Sequence, residues 1–440
     1  MKTKSLVAAL LFVAVAATHA AGTQPEQIRA LAKLPTMNID ISFSINSTDF
    51  GITRTNNAPL RSEAELRVAL KSSPRDSAAW RDLATELARR ALRDHLRTES
   101  ITLNDIPRLI AAARSGELSR ADINRARQLL DESVECCTKA IEAELGKSDG
   151  YLLRAAHRMM FQGVLQFIAD TLDGKDSALI SLMLTPDLFT DLREAARLRP
   201  DNAHLQSMCA TYFLISEIYI RNSHATEKMH GTIADNLSRL ETLAATNDPK
   251  IAAAACFGLG SIDFMLKGTN SIAAQRLQRA VTLDPSNERA WDLLVGAHLT
   301  AKRDDALLAV CASRVKAADT VRNRYILAKA HEQLAQLDET AAQLDIILKR
   351  EPNHFAAVTG MAALALRRGD DAKADEFLSR AEKLATDSVS AEQRSDLRVL
   401  HAIRALLRNE RDGAELHLGH AFKLDHENKN ARAVLRAMQP

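Results

Sequence analysis

The sequence predicts an all-α fold in which short helices stack as antiparallel pairs along a solenoid. Three observations carry this. Glycine and proline number only 16 and 11 in 440 residues, too few for the many turns of a β fold. Aromatic residues are 4% while apolar residues, rich in Ala and Leu, reach 46%, which suits helices. Prolines that end helices recur near a 34-residue period, with Asp284-Pro285 and Glu351-Pro352 standing 67 apart. A chain of this length would ordinarily hold about three domains, but a repeat array escapes that rule because each unit touches only its neighbours. Lys+Arg 58 against Asp+Glu 56 leaves +2, which argues against a dedicated nucleic-acid binder.

Residues 1–20 read as a secretory signal peptide. Lys2 and Lys4 give the positive start, Ser5 to Ala17 the apolar run, and Thr18-His19-Ala20 small residues around a cleavage point before Ala21. The run is shorter than the roughly 20 residues that cross a bilayer, so export is expected rather than anchoring, and the mature chain should carry no membrane span. In a bacterium that places the protein in the periplasm or outside the cell.

Residues 21–60 form an N-terminal extension. Ile39, Ile41, Phe43 and Ile45 alternate with Asn38, Asp40, Ser42 and Ser44, the period of a half-buried strand. Asn46 to Asp49 could turn the chain into a short return strand at Phe50 to Thr53. Such a hairpin must pack on the helices or add to a partner's sheet edge.

From residue 61 the pattern is helix, turn, helix. Trp80, Leu83, Ala84 and Leu87 share one helical face, and Arg75-Asp76-Ser77 can cap it. Asp105-Ile106-Pro107 opens a helix that Ser115-Gly116 closes, proline early and glycine late. Ser119-Arg120-Ala121-Asp122 starts a long helix, and Thr185-Pro186-Asp187 another.

The repeats follow. Ala273, Leu277 and Ala280 precede Pro285 with a four-then-three spacing. Ala374, Leu378 and Ala381 repeat it, as do Ala414, Leu418 and Ala421. Ala84, Ala210, Ala362 and Ala402 are the small residues of first helices, where two backbones must approach closely. Phe257, Trp291 and Leu294 fill the space between pairs. This pattern resembles the tetratricopeptide repeat family. The resemblance is strong over 249–435, an array, and weaker over 61–248, a divergent helical region. Thr340 and Ile347 stand where Ala is usual, and Pro200 to Pro285 is 85 residues, about 2.5 periods.

The resemblance implies a right-handed superhelical solenoid whose groove, lined by first helices, binds a protein or peptide. First-helix positions pointing away from the small packing residue are the groove candidates: Arg81, Thr85, Arg89, Arg289, Asp292, Tyr325, Lys329, Glu332 and Gln333. An exported scaffold of this kind suits cell-envelope assembly, polysaccharide export or secretion, among which no residue chooses. The carboxylate clamp of some relatives is absent, since Lys329 has no matching Asn.

Residues 159–184 are the most apolar stretch of the mature chain. Ordinary core packing is the first reading of this stretch; the alternative makes Phe161, Val164, Phe167, Ile168, Ile180 and Met183 the lining of an apolar pocket in a periplasmic receptor for a small apolar ligand. His401, His417, His420 and His426 gather near the C-terminus, but Leu418 and Ala421 point inward, so these histidines are expected outside and unmetallated. The five cysteines, Cys136, Cys137, Cys209, Cys256 and Cys311, are too sparse for a disulfide scaffold and are expected buried as small apolar residues. No GxSxG, P-loop, GxGxxG or CxxC motif occurs, so no enzyme activity, metal or cofactor is expected.

Overall fold

The computed structural model describes residues 28–33, 61–98, 106–175, 185–219, 226–268, 270–386 and 388–438. Among the described residues there are twenty α-helices and no strand. The predicted signal peptide and the predicted hairpin at 38–53 lie outside them. The described residues form two compact units: one within Ser42–Asp284, the other joining residues 28–33 to the helices that follow Pro285.

The first unit contains α1 (Glu63–Ser72), α2 (Ser77–Arg90), α3 (Ile106–Ser115), α4 (Arg120–Ala143), α5 (Ser148–Ala156), α6 (Val164–Leu172), α7 (Pro186–Leu198), α8 (Ala203–Tyr219), α9 (Thr226–Ala244), α10 (Pro249–Ile262) and α11 (Asn270–Leu283). The starts follow local chemistry. Asp76 accepts from the Ala79 amide at 2.9 Å, and Ser119 forms a capping box with Asp122. Thr185 caps α7 ahead of Pro186.

The pairing in this unit skips elements. α2 pairs with α4, and α5 pairs with α7. The skipped helices α3 and α6 pack on each other, burying Ile106, Leu109, Val164, Leu165 and Ile168 with Ile123 and Leu130 of α4. Each of these hairpins therefore carries an extra helix between its first and second rods. That is why the repeat signal is weak here. α8 pairs with α9 and α10 with α11. α8 and α9 run 17 and 19 residues, longer than α14 and α17 at 13 and 14, which lengthens the interval between Pro200 and Pro285.

The second unit contains α12 (Glu288–Thr300), α13 (Asp304–Ala317), α14 (Val321–Gln333), α15 (Leu337–Arg350), α16 (Phe355–Arg368), α17 (Asp371–Leu384), α18 (Ala391–Leu407), α19 (Arg411–Leu424) and α20 (Lys429–Ala437). Chain neighbours pair, first helix with second, and α20 packs on both α18 and α19. The fold is tetratricopeptide-like. Ala374, Leu378 and Ala381 are buried, as are Ala414, Leu418 and Ala421, and Ala362 and Ala402 meet them from the first helices. Thr340 takes the alanine place in α15 because its hydroxyl donates to the Gln336 carbonyl at 2.7 Å and so brings no unpaired group inside.

A turn recurs between second and first helices. Pro200 precedes the cap Asn202, Pro285 precedes Asn287, and Pro352 precedes His354. Trp291 Nε1 donates to the Pro285 carbonyl at 2.9 Å. In the first unit Trp80 makes the same bond to Pro74 at 2.8 Å. Both tryptophans thus lock a proline turn onto the helix it precedes.

Candidate partner-binding face

The nine groove candidates divide between the units. On α2, Arg81 donates to Ser77 Oγ at 2.7 Å, Thr85 to the Arg81 carbonyl at 2.9 Å, and Arg89 to Glu86 at 3.2 Å. All three are half-buried. In the second unit Arg289 and Gln333 are exposed and Lys329 is half-buried.

Asp292, Tyr325 and Glu332 are placed otherwise than expected: all three are buried. In α13 the Ala-Leu-Ala packing positions are filled by Leu307, Cys311 and Arg314, and Arg314 is fully buried. A buried guanidinium needs a counter-charge. Asp292 supplies it at 2.7 Å, also accepting from Arg322 at 2.9 Å. Tyr325 belongs to the core cluster with Ala328, Leu344 and Ile347 and lies against the His354 ring, because the face it occupies meets the following pair. Glu332 is held by Lys329 at 3.0 Å with Arg367 at 3.8 Å.

What the face carries was not legible in the sequence. Residues 28–33 form a single helical turn seated on this unit. Ala32 is fully buried in the cluster that holds Phe355, Val358, Ala362 and Leu366, and Ile28 and Leu31 pack against it. Arg29 Nη1 donates to the Leu366 carbonyl at 3.1 Å, a cation at the negative end of α16. Lys33 enters beside Glu332, Lys329 and Arg367; burial, then Arg367, pulls its ammonium below the usual lysine range. Next along, Arg404 grips Asp375 in a fork at 2.8 and 2.9 Å and reaches Asp371 at 3.1 Å. Hydrogen bonds from Arg404 hold the Asp375 carboxyl below the usual range.

The apolar-pocket candidates are core where the structure describes them. Val164 and Ile168 are fully buried between α3, α4 and α6, and Phe167 packs on that cluster. The extra helices α3 and α6 consume this surface against each other, leaving it to packing rather than to a ligand. Ile180 and Met183, and the side chain of Phe161, lie outside the described residues. An open cleft of about 610 Å³ lies instead in the second unit, lined by Glu351 to Ala356, Ser388, Val389 and Gln393.

His401 and His417 also differ from expectation: both are half-buried and stacked on each other, while His420 and His426 are exposed. No cluster of three metal-ligating side chains occurs among the described residues. None of the described helices is long and apolar enough to cross a membrane. All five cysteines are free and buried.

No family model and no curated protein matches the chain. Similar solved structures include the C-terminal part of a TPR repeat-containing protein from Cytophaga hutchinsonii, 16% identical over 56% of this chain and 100% of that one, with a TM-score of 0.37. Yeast Tom70 is 13% identical, covering 85% of this chain and 84% of its own, with a TM-score of 0.38. Cut9–Hcn1, an APC/C hetero-tetramer, is 14% identical over 86% and 92%, with a TM-score of 0.29. The fold assignment stands on the alanine-spaced helix pairs themselves.

Proposed function

We propose that the chain is an exported scaffold that binds a protein or peptide partner on the first-helix face of its second unit. The observation that carries this reading is the turn at residues 28–33, a piece of polypeptide already seated on α16 beside Lys329 and Glu332. A surface that takes one peptide segment by apolar packing and a helix-end cation has the means to take another. Export is read from Lys2, Lys4 and the apolar run that follows them. The process served is envelope assembly, polysaccharide export or secretion. The small-apolar-ligand reading loses Val164 and Ile168 to core packing, while Ile180, Met183 and the Phe161 side chain lie outside the described residues.

Two measurements test this. The intact chain and its Lys329→Glu/Gln333→Glu variant are used as baits on the envelope fraction of the producing cell. Proteins retained by the native chain and lost with the variant, at equal helicity, are expected. Retention of no protein, or of the same set by both baits, contradicts the proposal, and co-purifying lipid would revive the small-ligand reading. N-terminal sequencing of the natural product should begin at Ala21, and a chain that still began at Met1 would contradict export.

A further inference from the structure

A first helix in a tetratricopeptide-like array buries the side that meets its own pair and the next, and leaves a stripe open. α16 leaves almost none. From Phe355 to Leu366 every residue is buried except Met361, which is half-buried. Part of the cover is residues 28–33, whose Ile28, Leu31 and Ala32 stand at i, i+3 and i+4 and close over the same cluster. That spacing is how an amphipathic helix lays its apolar side into a groove.

The seat is fitted at its end. α16 stops at Gly369, whose φ of 74° is left-handed. Arg29 reaches across this glycine to the Leu366 carbonyl, with Asp371 3.8 Å away. A Cβ built on Gly369 would stand 2.7 Å from Arg29 Nη1, so the guanidinium lies where any other residue would put a side chain. The turn is thus held by apolar packing along its length and by one cation at a helix end.

We propose that residues 28–33 are an intramolecular occupant of a peptide site on α16. The partner that site accepts is a short helical peptide of the same chemistry, with aliphatic residues three and four apart and an arginine beside the first. This rests on the scaffold reading above and adds to it the partner's chemical class and a built-in competitor. A tethered segment meets its site at an effective concentration on the order of millimolar, so it holds the face until a partner of higher affinity displaces it.

The test uses a fluorescein-labelled synthetic peptide with the sequence of residues 21–36, followed by anisotropy. It is titrated onto the full native chain and onto the full chains carrying Ala32→Glu or Arg29→Ala, whose equal helicity is checked by circular dichroism. Both changes lie in the seated segment and leave the face itself intact. The expected result is binding at least tenfold tighter to the Ala32→Glu chain than to the native chain, with a smaller gain for Arg29→Ala. Equal binding to all three overturns the proposal, because the face is then not occupied. Binding to none also overturns it, because the face then does not take this helix. Either result would remove the seated turn as support for the scaffold reading, whose own test remains the bait experiment.

Discussion

His401 and His417 stack across the α18–α19 seam, ring centroids 5.2 Å apart and planes 20° from parallel. His401 Nε2 is 3.3 Å from Glu382, which also accepts from Arg398. Burial lowers the pKa of both rings; for His417 the neighbouring His401, Arg398 and His420 lower it further, against Glu382. In the first unit His157 is fully buried beside Ser133, 2.6 Å from its hydroxyl, and burial takes its pKa down to about 4.

These shifts set a pH dependence. An unfolded histidine titrates near 6.5, so between that value and the lower folded values the unfolded chain binds more protons. Stability is complete above about pH 6.5 and falls as the pH drops through the folded values. For His157 alone the interval from 6.5 to about 4 corresponds to roughly 3 kcal/mol. Urea unfolding is expected to show midpoints that fall between pH 7 and pH 4.5. The slope should be shallower in His157→Gln and in His401→Gln/His417→Gln. A midpoint independent of pH over that range would contradict the buried, neutral state of these rings.

Asp292 and Glu288 together balance the buried Arg314. Asp292→Ala leaves the guanidinium only the more exposed Glu288 and is expected to cost about 3 kcal/mol, the low end for breaking a buried pair. Arg314→Leu/Asp292→Ala replaces the pair by the apolar content usual at these positions and is expected to recover most of that loss. Urea midpoints of the two variants check it. A double variant as unstable as the single one would show that the pair is not the reason for the aspartate.

Gly258 of α10 faces Ser207 of α8 so closely that a Cβ there would meet the serine Cβ at 2.6 Å. Gly258→Ala must push the two helices apart and is expected to cost about 1–3 kcal/mol. Gly258→Ala/Ser207→Gly should return much of it, the mark of one crowded crossing. Equal losses with and without the second change would place the strain elsewhere.

The five thiols are shielded. Burial raises every one, Cys136 to about 11 and Cys311 to about 12, so little thiolate is present near neutrality. Ellman's reagent is expected to find no fast-reacting thiol in the native chain and five after denaturation without reductant. Fewer than five in the denatured chain would mean a disulfide.

Alanines at Ala374, Ala381, Ala414 and Ala421 announced the helix crossings because a small residue at a fixed interval has one physical use in such a pair. The same logic failed at Arg314, where a long side chain fills an alanine place and recruits Asp292 from the face that polarity alone would have left to solvent. It failed again at Tyr325, because amphipathic spacing tells which side of a helix meets its own pair but not how much the next pair covers. The extra helices α3 and α6 blurred the period, and their apolar side chains left core packing and a pocket lining both open because each one's partner is distant in sequence. Residues 28–33 left almost no signal: a single i, i+3, i+4 set at Ile28, Leu31 and Ala32 is too short to stand out as a period, and the carbonyl that Arg29 reaches lies 337 positions away.

That contact is the most direct thing to measure. Hydrogen–deuterium exchange of the full native chain should show the amides of residues 28–33 and of the C-terminal half of α16 protected together, and Ala32→Glu should release both while leaving α12 and α19 unchanged. Identical exchange along α16 in the two chains would mean that the segment does not sit there, and the peptide face argued from it would have no occupant.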